Sequence, residues 1–547
     1  MKQKHAFIVP LLLAGTTLGF TASCDKEPDT KYKVVDGEVV IDDSELVNSK
    51  KVEDNYRVYY EIFTGSFSDS NGDGTGDLQG IINRLDYLND GDPNSGKSLG
   101  VQGIWLTPVF SSPTYHKYNV TNYYKIDPKF GTMEDLKELI TKCHERNIQV
   151  ILDLPINHTG KSNKWFLDFT NAQKDGNTES PYYDFYSYYK RGEKAPAGRT
   201  FTPIAGTDVF YECNFTTDMP ELNFDSEFVR ETVLEVARYY LEDIGVDGFR
   251  FDAAKYVYYK NDVKSAAFWN WYLGELKKIK PDVYTVGEVW DSDGVIDMYS
   301  RQGLNCFNFA MSQSEGKIAA TVKGDSINVY TKYVETYLSK LKSFNKGCMM
   351  FPFISNHDLD RSAGYLQIAA KQAHMAANLY ILSSGSPFIY YGEEIGIKGS
   401  RGGASSDANR RLAMLWGDED TIRNPSEATY KNSLQINGTV ASQIGDENSL
   451  LNHYKKVIMV RNANPEIARG EYVALKTTSD TLGGFISTYN DKSVCVIHNT
   501  STEEASIDIT TLTDIPFTTL NGIVGQGNAT LENNVLTIAG LTSVVIR

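Results

Sequence analysis

Four short stretches of the chain concentrate residues able to do acid–base and nucleophilic chemistry. They are Asp153-Leu154-Pro155-Ile156-Asn157-His158, Gly248-Phe249-Arg250-Phe251-Asp252-Ala253-Ala254-Lys255, Gly287-Glu288-Val289-Trp290 and Asn356-His357-Asp358. Each follows or ends an apolar run. A core has no use for such charges, because every buried one must be paired or desolvated at a cost. Gathered in one place, the set could act on a glycosidic bond. Two carboxyl groups about 5–5.5 Å apart suffice for retaining hydrolysis, one as nucleophile and the other as proton donor.

Roles follow from strand geometry. Alternate residues on a strand face the same side, so Arg250 and Asp252 point together and the guanidinium aims the carboxylate. Glu288, on the next strand, is the natural proton donor, and its pKa is expected to rise beside the Asp252 charge. Asp358, flanked by His357, is expected to grip sugar hydroxyls and stabilise an oxocarbenium-like transition state.

These residues must be carried by elements that bring four distant segments to one mouth. Apolar runs at 58–63, 103–109, 149–155, 246–254, 283–289, 306–310, 351–355 and 387–391 read as strands, with helical patterns such as 132–146, 226–244 and 362–383 between them. Eight such units predict an α/β chain built on a (β/α)8 TIM barrel, whose chemistry collects at the C-terminal strand ends. A polar, Tyr-rich stretch over 159–217 is too long for a loop and reads as an inserted subdomain after strand three. After 463 the pattern changes to short alternating strands, predicting a C-terminal antiparallel β-sandwich over 464–547. The barrel then occupies 56–158 and 218–463. No internal repeat is present.

The four stretches resemble, in order and on the matching strands, the four signature regions of the α-amylase family, glycoside hydrolase family 13. The resemblance implies Asp252 as nucleophile, Glu288 as general acid/base and Asp358 as transition-state stabiliser. It further implies His158, Arg250, His357 and Lys255 as sugar-binding residues, Asp153 as a brace for the arginine, and Tyr118 as an aromatic platform under the sugar. Departures are also legible. Lys255 is followed by Tyr256 where the family often has histidine, which alters the leaving-group side. Asn119 stands where members that cleave terminal glucose commonly carry aspartate, which favours internal cleavage. Met219-Pro220-Glu221-Leu222-Asn223 resembles the fifth region of the oligo-1,6-glucosidase and neopullulanase groups, so preference between α-1,4 and α-1,6 bonds is open. The implied partner is an α-glucan polysaccharide or oligosaccharide. A non-catalytic glycan-binding relative is disfavoured because all three acids are kept.

Asp69-Ser70-Asn71-Gly72-Asp73-Gly74-Thr75-Gly76-Asp77 sets oxygen ligands at alternate positions. Gly80 at the twelfth place excludes a true EF-hand. The stretch resembles a calcium loop of α-amylase relatives, implying Ca2+ on Asp69, Asn71, Asp73 and Asp77 side chains and the Thr75 carbonyl. The alternative is an Asp/Gly turn held by its own hydrogen bonds. Gly91-Asp92-Pro93-Asn94-Ser95-Gly96-Lys97-Ser98 satisfies the P-loop pattern, yet a helical pattern precedes it and a strand follows, the reverse of a phosphate cradle.

Composition agrees with a large, folded, acidic chain. The 547 residues carry 54 basic and 70 acidic side chains, a net charge of −16 that disfavours nucleic acid as a partner. Residues 1–23, with Lys2 and Lys4 before an apolar stretch, read as a secretory signal. Thr21-Ala22-Ser23-Cys24 resembles a bacterial lipobox, implying a lipid on Cys24, a polar tether over 24–55 and an extracytoplasmic, membrane-anchored location; the alternative is an ordinary secretion signal with Cys24 incidental and the chain secreted. The remaining cysteines, Cys143, Cys213, Cys306, Cys348 and Cys495, are scattered without a CxxC pair and read as free thiols.

Overall fold

The computed structural model describes residues 30–35, 38–43, 49–344, 347–402 and 407–547. The signal sequence and Cys24 lie outside the described residues. Within the stretch read as a tether, Thr30–Val35 and Glu38–Asp43 pair as an antiparallel hairpin.

Six barrel strands are adjacent in the order Tyr284–Gly287, Gly248–Phe251, Gln149–Leu154, Gly103–Leu106, Tyr59–Ile62 and Phe388–Tyr390, every pair parallel. Single parallel bridges close the ring from Gly287 to Cys306, Phe307 to Phe351 and Phe353 to Phe388. The sixth and seventh strands, expected over 306–310 and 351–355, are therefore reduced to bridges. The sixth turns at once into a 3-10 helix, Phe309–Met311, which leaves no length for a ladder.

Aromatic rings fill the barrel. Tyr59 stacks on Phe388 with 4.9 Å between centroids and meets Tyr284 at 4.5 Å. Gly103 makes room for this packing: a Cβ there would lie 2.4 Å from the Tyr59 ring. Such a floor is closely packed, so the polar residues above it are fixed from below.

Helices surround the strands. Met133–Glu145 starts at a capping box between Thr132 and Asp135 and buries Leu136, Leu139, Ile140 and Cys143, the spacing of one helix face. The helix expected over 226–244 runs as Glu227–Arg238 and widens to a π-helix, Tyr239–Ile244, before Gly245 at φ +87°. The helix expected over 362–383 is broken into a 3-10 turn, Ser362–Gly364, and the helix Gln372–Ile381, with Lys371 between them in a left-handed backbone, φ +58°.

The inserted segment holds the helix Lys164–Asp175 and a three-stranded sheet of Tyr188–Lys190, Val209–Glu212 and Phe201–Pro203. After the helix Leu450–Ala463, a five-stranded antiparallel sheet packs on a three-stranded one. Leu482, Ile497 and Val544 of the first meet Leu536 and Ile538 of the second in a separate core. The five later cysteines are free, and all but Cys348 are buried. Among the described residues no helix is long and apolar enough to cross a membrane.

Candidate active site

A cleft of about 850 Å³ opens at the C-terminal strand ends and is lined by Asp252, Glu288 and Asp358 together with Tyr118, His158 and Lys255. Its organising residue is Arg250, whose guanidinium is completely buried. One terminal nitrogen, Nη1, donates to both oxygens of Asp153 at 2.8 and 2.9 Å and to Asp252 Oδ1 at 2.7 Å. The other, Nη2, donates to Glu288 Oε2 at 2.9 Å. The cation lies over the Trp105 ring, 5.1 Å from its centroid. Asp252 and Glu288 are thus separated by the width of one guanidinium and its two hydrogen bonds.

The backbone supports the pairing. Ala253, directly after Asp252, is held at φ +47°, a left-handed conformation rare outside glycine. That turn directs its N–H onto Glu288 Oε2 at 3.0 Å. The Glu288 carboxyl is nonetheless pushed above the ordinary glutamate range. Burial is the largest cause; Arg250 opposes it, and the charges of Asp252 and Asp358 add to it. The expected influence of Asp252 is real but secondary to burial.

Asp358 sits between two cations. Its Oδ1 accepts from Arg411 Nη2 at 2.6 Å, and its Oδ2 accepts from His357 Nε2 at 3.0 Å. Burial would raise this carboxyl, but His357 and then Arg411 hold it well below the usual range. His357 Nδ1 donates to Glu61 Oε1 at 2.5 Å, and Nε2 also reaches the Tyr118 hydroxyl at 2.7 Å. Although burial opposes it, Asp358 and Glu61 lift the imidazole to about 10, so it carries charge at neutral pH. Tyr118 donates onward to Asp153 Oδ2 at 2.9 Å. A single network therefore runs from Glu61 through His357, Tyr118, Asp153 and Arg250 to the Asp252–Glu288 pair.

His158 is buried at the cleft wall, with Nε2 3.2 Å from the Tyr118 carbonyl, and burial lowers its pKa. Lys255 pairs with Asp291 beside the cleft. Tyr256 lines the same wall, packed on Phe215 at 4.8 Å.

Asn119, next to Tyr118, is buried and donates to the Asp218 carbonyl at 3.3 Å. Of the fifth-region stretch, only Met219 lines the cleft; Glu221 is buried and accepts from Asn157 at 2.5 Å and from the Asn214 N–H at 3.1 Å. The inserted tyrosines Tyr182, Tyr183, Tyr186, Tyr188 and Tyr189 are likewise absent from the cleft lining, where Phe215 and Thr216 represent the end of that segment.

Sequence reasoning missed Glu61, Arg411, Tyr115 and Trp290. A lone acid inside the apolar run 58–63 was the available signal for Glu61, since a charge there must have a buried partner. Arg411 comes from irregular chain after the last barrel strand, where periodicity gives no signal.

In the loop 69–77, Asp69 accepts N–H groups from Asn71, Gly72 and Gly74 at 3.1, 2.8 and 2.7 Å, and the Thr421 hydroxyl at 2.6 Å. Asn71 Oδ1 accepts from the Asp73 N–H at 3.0 Å, and Asp73 Oδ1 accepts from the Thr75 N–H at 2.7 Å. Asp77 Oδ1 caps the helix Leu78–Asn83 through the Gly80 N–H at 2.6 Å. Among the described residues no three His, Cys, Asp or Glu side chains converge on a metal position. The donor set itself, all oxygen with three carboxylates, is that of a hard cation. The P-loop-like stretch lies between the helix Leu85–Leu88 and the strand Gly103–Leu106, and Asn94 Oδ1 accepts the Ser49 N–H at 2.8 Å, so it docks chain rather than presenting a helix N-terminus.

A family model described as alpha amylase, catalytic domain, matches residues 61–470. The chain belongs to the α-amylase family. Alpha-amylase 3 of Dictyoglomus thermophilum is 35% identical over 447 residues, 81% of this chain and 84% of the relative. Oligo-1,6-glucosidase of Bacillus cereus is 28% identical over 529 residues, 83% of this chain and 91% of the relative. Among solved structures, Eubacterium rectale Amy13B has a TM-score of 0.83 at 33% identity, covering 91% of this chain and 97% of that one. As an α-amylase family glycosidase, the chain is a hydrolase on a TIM barrel with a C-terminal β-sheet domain.

Proposed function

We propose that this enzyme is an endo-acting α-amylase that cleaves α-1,4-glucosidic bonds in starch-like polymers and maltooligosaccharides by double displacement. The observation that carries the reading is the Asp252–Glu288 pair held on the two terminal nitrogens of Arg250. Asp252 attacks the anomeric carbon while Glu288, whose hold on its proton burial strengthens, gives that proton to the departing glycosidic oxygen. The bond to the leaving sugar breaks as the bond to Asp252 forms. Glu288, now a carboxylate, takes a proton from water, whose oxygen displaces Asp252 at the same carbon and restores both groups. Asp358, fixed by His357 and Arg411, holds sugar hydroxyls and balances the positive charge that builds between the two steps. Tyr118 supplies the flat face under that sugar, and His158, Arg250, His357 and Lys255 complete its surroundings.

Asp252→Asn tests the reading. It should lower kcat by about 10⁴-fold or more while sparing glycan affinity; near-normal turnover would remove Asp252 as nucleophile. Products released with inverted configuration would remove the double displacement.

A second reading, an oligo-1,6-glucosidase or neopullulanase type of specificity, rests on the resemblance of residues 219–223 to the fifth region of those groups, of which Met219 lines the cleft. Digestion of amylose, pullulan, panose and isomaltose separates the two by their products. Calcium belongs to the same proposal, held by Asp69, Asn71, Asp73, Asp77 and the Thr75 carbonyl, and rests on the oxygen-only donor set. So does anchoring outside the cytoplasm through Cys24, resting on the sequence of residues 1–24 and suiting a polymer that cannot cross a membrane. Mass spectrometry of the mature N-terminus tests it.

A further inference from the structure

Three of the eight histidines lie in one buried seam between the barrel and the C-terminal β-domain, and none of the three lines the cleft. His374 stands on the helix Gln372–Ile381, His453 on the helix Leu450–Ala463 and His498 on the strand Lys492–Asn499. His374 and His453 meet ring to ring, 4.9 Å between centroids and 66° between planes. His453 Nε2 faces two acceptors, the His374 carbonyl at 2.9 Å and Asn378 Oδ1 at 2.8 Å, so it carries a hydrogen. Asn378 Nδ2 takes the network across the boundary, donating to the Val524 carbonyl and to Ser543 Oγ, both at 2.9 Å. The Ser543 hydroxyl gives its own hydrogen to His498 Nδ1 at 2.7 Å, a better acceptor than Met375 Sδ at 3.9 Å.

This arrangement suits neutral rings and resists charged ones. Both ring nitrogens of His374 are buried without a hydrogen-bond partner, so packing alone would be served as well by an apolar ring. The charged groups that face the seam are cations, Lys371 before the first helix and Lys456 on the second. The Asn448 carbonyl, which favours a charge on His374, already accepts from Lys371 Nζ at 3.1 Å. Asp446 and Glu447, in the loop before the second helix, are exposed. Burial lowers His374 and His498 to about 3 and His453 well below the ordinary imidazole range; Lys371 adds to the effect on His374, and His374, Lys456 and Lys371 add to that on His453. The closed seam therefore holds these protons less tightly than an opened one. Its stability is complete above about pH 6.5 and is lost as pH falls from there towards 3. Glu393, bonded to Tyr380 and Tyr454 on the same two helices, acts in the opposite sense, because its raised carboxyl strengthens the fold as pH falls.

We propose that His374, His453 and His498 form an acid-operated latch: as neutral rings they close the seam between the barrel and the C-terminal β-domain, and their protonation opens it. Opening frees the helix Gln372–Ile381, which leads into the last barrel strand, Phe388–Tyr390. That strand pairs with the first, Tyr390 opposite Glu61, so acid loosens the barrel wall that carries the partner of His357.

Hydrogen exchange of the full chain, read by mass spectrometry and corrected for the intrinsic rate, gives the opening equilibrium of each segment at pH 7 and at pH 4.5. An imidazole that titrates normally when the seam is open, and stays neutral when it is closed, raises the open fraction about a hundredfold over that range. Peptides from 372–381, 492–499 and 542–546 should lose protection steeply, whereas the helix Met133–Glu145, which packs elsewhere on the barrel, should not follow them. His374→Phe keeps a ring in place, breaks no side-chain hydrogen bond and cannot ionise. It should reduce the acid-driven opening at least about tenfold relative to wild type and leave protection at pH 7 unchanged; the share of Glu393 is common to both proteins and cancels. If the phenylalanine does not fit, His453→Gln, which keeps a donor near the Nε2 position, carries the same comparison. Protection in the wild type that does not change with pH, an equal rise in the variant, or parallel opening of Met133–Glu145 would overturn the latch.

Discussion

The His357 ring lies nearly parallel to the Tyr118 ring, 5.7 Å between centroids and 13° between planes, with Nε2 2.7 Å from the tyrosine oxygen. The platform proposed for the sugar is therefore fixed by a charged imidazole, which Glu61 holds from the far side. Tyr118→Phe keeps the flat ring and removes the hydroxyl that joins His357 to Asp153. Both partners stay buried, and leaving such groups unsatisfied costs about 1–3 kcal/mol. The variant should melt earlier and lose about tenfold in kcat, whereas KM stays near wild type because the ring face remains. Tyr118→Ala should raise KM as well. Wild-type kcat and melting temperature in the phenylalanine variant would show that the network does not position the site.

With Glu288 as the proposed general acid, its raised carboxyl should set the alkaline side of the activity profile. A general acid works only while protonated, so kcat/KM should fall as pH rises through the Glu288 pKa. Asp358 is one of the like charges that raise it. Asp358→Asn removes that charge, makes Glu288 a stronger acid and should move the alkaline limb of the residual activity to lower pH. A limb that stays in place, or moves upward, would assign the ionisation to another group. Glu288→Gln should abolish the limb altogether.

The barrel and the three acids were legible because both rest on local pattern. Apolar runs that end in charge mark strand tips, and Arg250 and Asp252 could be placed on one face from spacing alone. What escaped depends on distant segments. Arg411, which bonds Asp358, is joined to it by a fold-wide return of the chain that no window of sequence contains. The strand expected over 306–310 is cut short where the chain turns at Phe309, which an apolar run does not announce. The tyrosines of the inserted segment pack among themselves and their neighbours; Tyr186 is buried against Phe166 and Phe169.

Two adjacent acids away from the cleft should shape stability. Glu393 accepts from Tyr380, Tyr454 and Ser355 at 2.6, 2.7 and 3.0 Å, and Glu394 accepts from Tyr60 and Tyr87 at 2.7 and 2.6 Å. Burial pushes Glu393 up from 4.5 to about 7, against the tyrosine hydrogen bonds that lower it. The folded state thus holds this proton more tightly than the unfolded chain. Its contribution is complete below about pH 4.5 and is lost as pH rises through about 7, on the order of 3 kcal/mol. Glu393→Gln, which cannot ionise, should flatten the fall in melting temperature across that window. An unchanged slope would mean that Glu393 is ionised in the folded protein throughout.

The loop 69–77 offers the last test, and the choice of residue matters. Asp77 caps the helix Leu78–Asn83 whether or not a metal binds, so its loss would destabilise the chain on either reading, by about 1 kcal/mol for the cap alone. Asp73 has no such second duty: its Oδ1 meets only the Thr75 N–H within the loop. If calcium occupies the loop, added calcium should raise the melting temperature of chelator-treated enzyme by the linkage expected for a ligand of the folded state. Asp73→Ala should weaken that response at least tenfold in calcium concentration. A treated enzyme that is metal-free by elemental analysis, yet melts identically with and without calcium, would leave the loop as a turn stabilised by its own hydrogen bonds.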